Sequence, residues 1–442
     1  MSDESTADQS VTDEAEASTA YTEAEIRTVA IAIISGVFFG GVATGVAFPI
    51  LPLLDELLGI TAVMLGLILS INRITRLFMN TPAGNVIDRF GARKPMIAGL
   101  FVQGLAPFGY VLGLHVPGGT FLVLPRIGSV SNAGLVFFLS RAIWGVGSAF
   151  VFLGAFATIT YVTSNQNRGK WLGYMRGGQS LGFPTGLIVG GIVTDLLSAG
   201  TAFLLAGVLA LLAGAVAFIV LPDTQPETGQ RARLRDVPQL VRERPQILPL
   251  GIGNMTIRFI FGGILMATVV KYADVYGIRL RMLTAAGISG IVLGVGVLAS
   301  STTTVLSGRL SDALSNRVWV TVPAFISMAG GLTVLALFPS LEGLFLGTAL
   351  IGIGTGGTGP ALMAMLGDMT PGDQVGRLGG VYNVMGDIGL SAGPLLAIPM
   401  VTNWFGYQRS YMISAGAVLV TLLMVAVPLL RYEVTIPIET KS

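Results

Sequence analysis

One acid lies deep inside an apolar segment of this chain: Asp387, beside Gly386 and two residues before Gly389. Five guanidinium groups share the apolar segments with it, Arg73, Arg76, Arg141, Arg176 and Arg258. Each such charge at a bilayer centre costs about 2.5–3.5 kcal/mol by insertion scales, so side chains of this kind mark function. If the helix that carries Asp387 begins near Leu378, its carboxyl lies ~14 Å deep at ~1.5 Å per residue, close to the midplane of a ~30 Å core. A desolvated carboxyl holds its proton more tightly and can load and release it near neutral pH. Asp387 is therefore the candidate proton-coupling group, with a structural ion pair as the bland alternative. The excess of buried positive charge needs partners, water or an anionic substrate. Arg73 and Arg76, three apart, share one side of a helix. They are candidates for a substrate cavity or for hydrogen bonds between helices.

The elements that position these residues are apolar runs of membrane-spanning length. They fall at roughly 27–53, 60–83, 95–114, 133–158, 171–195 and 200–222, then at 249–272, 283–307, 318–338, 342–366, 378–401 and 409–431. A stretch of ~20 apolar residues spans a bilayer as a helix. The composition agrees: 52% hydrophobic and 11% charged, against about 25% charged in soluble proteins. With 60 glycines, many lie within helices, where small residues let backbones approach. Gly36-x3-Gly40 and Gly41-x3-Gly45 on helix one read as packing faces, as do Gly343-x3-Gly347 and Gly352-x3-Gly356 on helix ten.

The expectation is an all-α membrane protein of twelve transmembrane helices, in two pseudo-symmetric six-helix halves around a central cavity. Residues 1–25 form a disordered acidic cytoplasmic tail, 26–222 the N-terminal half, 223–248 a cytoplasmic linker, 249–431 the C-terminal half and 432–442 a cytoplasmic tail. Under this topology sixteen of the 26 Lys and Arg lie on the side of the termini and five on the other. Lys and Arg favour the cytoplasmic side, which places both termini there in a multi-pass protein of the cell membrane. The linker holds Arg231, Arg233, Arg235, Arg242 and Arg244; it reads as a solvated connector, with anionic lipid as a sharper alternative.

Between the second and third runs stands Gly84-Asn85-Val86-Ile87-Asp88-Arg89-Phe90-Gly91-Ala92-Arg93-Lys94-Pro95. A shorter echo, Gly308-Arg309-Leu310-Ser311-Asp312, follows at an offset of 224, while Tyr174 and Gly178 match Tyr382 and Gly386 at an offset of 208. The long external segment from His115 to Asn132 accounts for the difference. Duplicated helical membrane proteins are most often transporters. Helix N-termini stabilise carboxylates. Asp88 can therefore latch onto the start of helix eleven, in the other half, and Asp312 onto the start of helix five near Lys170. A purely topogenic loop is the alternative. In the first half Gln179 stands where Asp387 stands in the second.

At these residues the chain resembles the major facilitator superfamily, over residues 26–431. Gly84, Asp88, Arg89, Gly91, Arg93 and Lys94 match its signature loop between helices two and three. Leu139-Ser140-Arg141-Ala142-Ile143-Trp144-Gly145-Val146-Gly147 resembles its helix-four arginine motif, which implies proton handling for Arg141. Pro49-Ile50-Leu51-Pro52 resembles the proline pair that ends helix one in twelve-helix drug/proton antiporters. The helix-five antiporter motif is partly present, as Gly178, Gly182, Phe183 and Pro184; helix eleven carries Gly389-x3-Gly393-Pro394. In this family helix seven often lines the cavity, which adds Arg258 and Asn254, four apart, to the cavity candidates.

No phosphate loop of the GxxxxGK[ST] kind occurs, which argues against an ATP-driven pump. The chain has no cysteine and one histidine, His115, at an external helix end; we expect no metal, no cofactor and no enzyme activity. The partners expected are a small-molecule substrate, protons and membrane lipid, with no nucleic acid, for a monomer. The leading reading is a secondary transporter working by alternating access, in proton-coupled export of small organic or amphiphilic compounds. A carrier or exchanger for a small organic anion is the alternative. A non-transporting sensor has no use for a duplicated latch loop.

Overall fold

The structure, a computed structural model, describes residues 21–53, 55, 58–124, 128–164, 167–223, 242, 245, 247–314, 316–369 and 375–433. Most of the expected acidic tail, most of the linker and the C-terminal tail beyond 433 lie outside the described residues.

The described residues form twelve helices. They are α1 Glu23–Ala47, followed by a 3-10 turn at Leu51–Leu53; α2 Ala62–Phe90; α3 Arg93–His115; α4 Asn132–Val162; α5 Arg168–Leu196; and α6 Ala199–Val220. Then come α7, in three pieces (Ile247–Arg258, a π segment Phe259–Leu265, and Met266–Val275); α8 Ala285–Ala313; α9 Val318–Leu337; α10 Leu341–Asp368; α11 Val375–Pro399, which runs into a π turn Met400–Trp404; and α12 Gly406–Glu433. Eleven are long and apolar enough to cross a membrane. The twelfth, α5, has 29 residues, but Arg168, Lys170, Arg176 and Gln179 dilute its first half.

Local chemistry sets the helix ends. Thr22 and Glu25 form a capping box: the Thr22 hydroxyl accepts from the Glu25 amide (3.3 Å), and the Glu25 carboxylate accepts from the Thr22 amide (2.9 Å). Such a cap is worth about 1 kcal/mol. It starts α1 at Glu23, inside the stretch expected as tail. At the other end of the first pair, α2 continues seven residues past its apolar run. It stops at Gly91, whose φ of +77° and ψ of 168° are open essentially to glycine alone.

The segment between α3 and α4 is an antiparallel hairpin, β1 Thr120–Leu124 against β2 Gly128–Ser131. It adds a β element to an otherwise helical set of described residues and fills the long connection between α3 and α4.

Within the first six helices, α1 packs on α5 and α6, α4 on α2 and α3, and α3 on α6. Within the last six, α7 packs on α11 and α12, α10 on α8 and α9, and α9 on α12. Two long helix pairs cross between these bundles, α5 with α8 and α2 with α11, and the Leu51–Leu53 turn meets the last piece of α7. Glycine makes the tightest approaches possible. A Cβ on Gly182 or Gly186 of α5 would collide with the Phe38 or Val42 carbonyl of α1, and Gly263 of α7 meets Gly393 of α11 backbone to backbone. The glycine pattern of helix eleven thus serves its contact with α7.

Candidate substrate and coupling site

The one deep acid has found its partner. Arg258 of α7 donates from Nη1 to Asp387 Oδ1 of α11 at 2.7 Å. Arg76 of α2 approaches the same oxygen at 3.9 Å from the other bundle. All three side chains are partly buried, with 18% of Asp387 exposed, 27% of Arg76 and 32% of Arg258. Since α11 begins at Val375 rather than Leu378, Asp387 lies twelve residues along it, or ~18 Å at ~1.5 Å per residue.

The Arg258 guanidinium is held at three points. Its Nε donates to Asn254 Oδ1 and its Nη2 to Asn383 Oδ1, both at 3.2 Å. Asn254 in turn donates from Nδ2 to the Tyr382 carbonyl at 2.8 Å. Immediately after Arg258 the helix widens into the π segment. Such wide turns are frequent at functional sites.

Arg73 donates from Nη1 to the Leu390 carbonyl of α11 at 3.2 Å, a second contact across the α2–α11 seam. Its guanidinium carbon lies 5.4 Å from the centre of the fully buried Phe48 ring, and that of Arg141 lies 5.6 Å from the same ring. Arg141, 2% exposed, donates to Asn72 Oδ1 (3.2 Å) and the Leu69 carbonyl (3.4 Å) of α2. Arg176 is exposed on α5.

A cavity of about 190 Å³ lies beside this cluster. It is lined by Arg73, Arg76, Asn72, Gln103, Trp144, Ser148 and Gln179, and by apolar side chains that include Val37, Val151, Phe152 and Phe183. Only Leu390 comes from the second bundle. The structure thus puts Arg73 and Arg76 on the cavity wall and Arg258 and Asn254 behind Asp387. Arg141 points into α2. Gln103 Oε1 and Trp144 Nε1 are buried without a hydrogen-bond partner among the described residues. Trp144 stood inside the helix-four motif; the positions of Gln103, Ser148 and Asn383 carried no signal beyond polarity within an apolar run.

The two ends of the bundles are built differently. At the end that bears the hairpin, buried Asp55 pairs with Lys271 of α7 across the bundles. There too Asp195, at the end of α5, caps the start of α8. Its carboxylate accepts from the amides of Thr284 (2.6 Å) and Gly287 (3.0 Å) and from the Thr284 hydroxyl. At the motif end, Arg93 pairs with Asp223 at 3.1 Å and donates to the Phe218 carbonyl at 3.2 Å, which ties the signature loop to α6. Arg89 lies 5.2 Å from the Phe90 ring. Gly84 is buried and Asp88 half-buried near the end of α2, while Lys94 opens α3. Residues 370–374, which lead into α11, lie outside the described residues. Asp312 bonds Arg317 of its own loop at 2.8 Å, and Arg317 also bonds Asp368 at 2.7 Å. The Asp312 hydrogen bond, first among the causes, raises the proton affinity of Arg317 further. Gly308, on the same α8 turn, has open space beside it.

A model of the Major Facilitator Superfamily matches residues 33–312 and 284–441. The chain belongs to the Major Facilitator Superfamily. It is 26% identical over 384 residues to the multi-drug resistance efflux pump PmrA of Streptococcus pneumoniae, covering 85% of this chain and 90% of that one. With multidrug resistance protein 2 of Bacillus subtilis it shares 27% identity over 169 residues, which is 38% of either chain. Its fold matches a bacterial homolog of the human lysosomal transporter Spinster, solved inward-facing and unoccupied. The TM-score is 0.71 at 12% identity, covering 94% of this chain and 97% of that one. As a superfamily member resembling drug/proton antiporters, the chain is a multi-pass membrane transporter and not an enzyme.

Proposed function

We propose that this transporter is a secondary exporter that exchanges protons for small organic or amphiphilic compounds by alternating access. Twelve spans would form two pseudo-symmetric halves around a central cavity, in a monomer of the cell membrane with cytoplasmic termini. One observation carries the coupling: Asp387 pairs with Arg258 in its own bundle while approaching Arg76 of the other. Protonation neutralises the carboxyl and removes its attraction for both guanidiniums. For the partly exposed Asp387–Arg258 pair the loss is below the roughly 3–5 kcal/mol of a fully buried one, and the longer, wetter contact to Arg76 is worth about 1 kcal/mol at most. Conformational equilibria of a few kcal/mol respond to differences of that size. Arg76 also lines the cavity, so occupancy and protonation meet at one side chain.

Asp387→Asn fixes the neutral form. In one liposome preparation it should abolish accumulation against a gradient and leave downhill exchange, since binding and rocking do not require the proton. Full uphill transport by the variant would remove Asp387 from the mechanism. A second reading, a carrier for organic anions, is favoured by a cavity wall that holds two guanidiniums and no carboxylate. Flux screens with matched anionic, neutral and cationic compounds separate the two.

A further inference from the structure

We infer that Asn383 is a positioning residue that holds Arg258 on Asp387 and so shapes the pH profile of uphill transport. The inference rests on the coupling role proposed for Asp387. Asn383 lies one helical turn before Asp387 on α11, so both side chains emerge on one face and meet the same guanidinium. Arg258 Nη2 donates to Asn383 Oδ1 at 3.2 Å while Nη1 donates to Asp387 Oδ1 at 2.7 Å.

The direction in which the Asn383 amide faces is decided by its other end. Its Nδ2 donates to the Gly379 carbonyl at 3.0 Å, one turn back on α11. With the amino group engaged there, the carbonyl oxygen is the end turned to Arg258. Asn254 is arranged likewise, its Nδ2 on the Tyr382 carbonyl and its Oδ1 on Arg258 Nε. Three oxygens therefore receive the planar fork, and of these only the Asp387 oxygen titrates. A guanidinium is always charged and its donors are rigidly spaced. Holding two edges of the plane leaves Nη1 aimed at the carboxylate.

The consequence has a sign. A cation held against a carboxylate favours the ionised form and lowers its proton affinity. Without the Asn383 oxygen, Arg258 keeps its Nε anchor on Asn254 but loses the anchor on the exposed side of the cluster, so the guanidinium can pivot towards water. The contact that only the charged carboxylate of Asp387 can use is then weakened. The charged groups that face this carboxyl are Arg258 of α7 and Arg76 and Arg73 of α2. Of these only Arg258 touches Asn383.

The experiment is the pH profile of uphill transport by full-length protein in liposomes. The chain should carry Asn383→Leu, close to Asn in volume but without the oxygen. The midpoint should move up by on the order of one pH unit, the scale of shift that one nearby opposite charge produces. In an Arg258→Gln background, itself shifted upwards, the same substitution should move the midpoint no further. An equal shift in both backgrounds would mean that Asn383 acts without Arg258, and an unmoved midpoint in the otherwise native chain would overturn the inference. Gel filtration and thermal melting of each variant identify loss of fold, and Asn383→Ser, which keeps an oxygen, should then return part of the native profile if the inference holds. A native profile independent of pH, or unchanged by Asp387→Asn, would instead sink the coupling role on which the inference depends.

Discussion

The two ends of this transporter use the same chemistry for different purposes. At the hairpin end, the carboxylates of Asp55 and Asp195 reach across the seam between the bundles, to Lys271 and to the start of α8. At the motif end, those of Asp223, Asp312 and Asp368 meet arginines of their own bundle. Burial differs as well. The Asp55 and Lys271 side chains are 10% and 14% exposed, whereas the three aspartates of the motif end are 57–76% exposed. The Asp55–Lys271 pair that joins the bundles is dry, and the pairs that brace the motif-end loops are wet. For the proposed cycle this means that opening the hairpin end breaks expensive contacts, while the motif-end pairs travel with their bundles.

That contrast can be tested by removing charges in turn. The largest effect is expected for Lys271→Met, which deprives a buried carboxylate of its cation, a loss of roughly 3 kcal/mol. Spin-label distances between the α1–α2 loop and α7 at the hairpin end should lengthen in most molecules; an unchanged distribution would deny this pair any part in holding the seam. Asp195→Asn should act in the same direction but less, because the amide still offers an oxygen to α8. The charge lost at a helix terminus is worth about 0.3–2 kcal/mol. Measured by the same labels, a larger opening for Asp195→Asn than for Lys271→Met would reverse the ranking. Arg317→Gln, at the wet end, removes exposed pairs worth about 0.2–1 kcal/mol each. It should lower thermal stability slightly and leave the hairpin-end distances where they were. A marked opening there would show that the ends are not independent.

Much of this architecture is legible in the apolar runs, for a plain reason. Hydrocarbon selects apolar side chains over a fixed length, so α6, α9 and α10 fall within three residues of where the runs place them. Helices that outrun the hydrocarbon are under-read. α2 and α8 continue six or seven residues beyond their apolar runs because backbone hydrogen bonds do not end where apolarity does. The hairpin at 120–131 and the π segment of α7 carry no distinguishing composition: one resembles any external loop, the other any apolar stretch. At the site, depth singles out Asp387 and leaves several arginines as partners. The choice of Arg258 is settled by packing between residues 129 apart in sequence. Asn383, Asp55 and Asp195 escape the reading because each looks like an ordinary polar residue until a distant helix is brought against it.

The π segment Phe259–Leu265 has a mechanical consequence. It divides helix seven into two stretches that each carry one cation, Arg258 at the Asp387 pair and Lys271 at the hairpin end. A straight α-helix would act as a shaft, turning both cations together. A π turn holds an extra residue, and one residue corresponds to about 100° of rotation and 1.5 Å of travel. Tightening that turn to α geometry would swing Arg258 by that angle relative to Lys271, without unfolding either stretch. Helix seven thus contains a clutch, placed between the charge that pairs with Asp387 and the charge that pairs with Asp55.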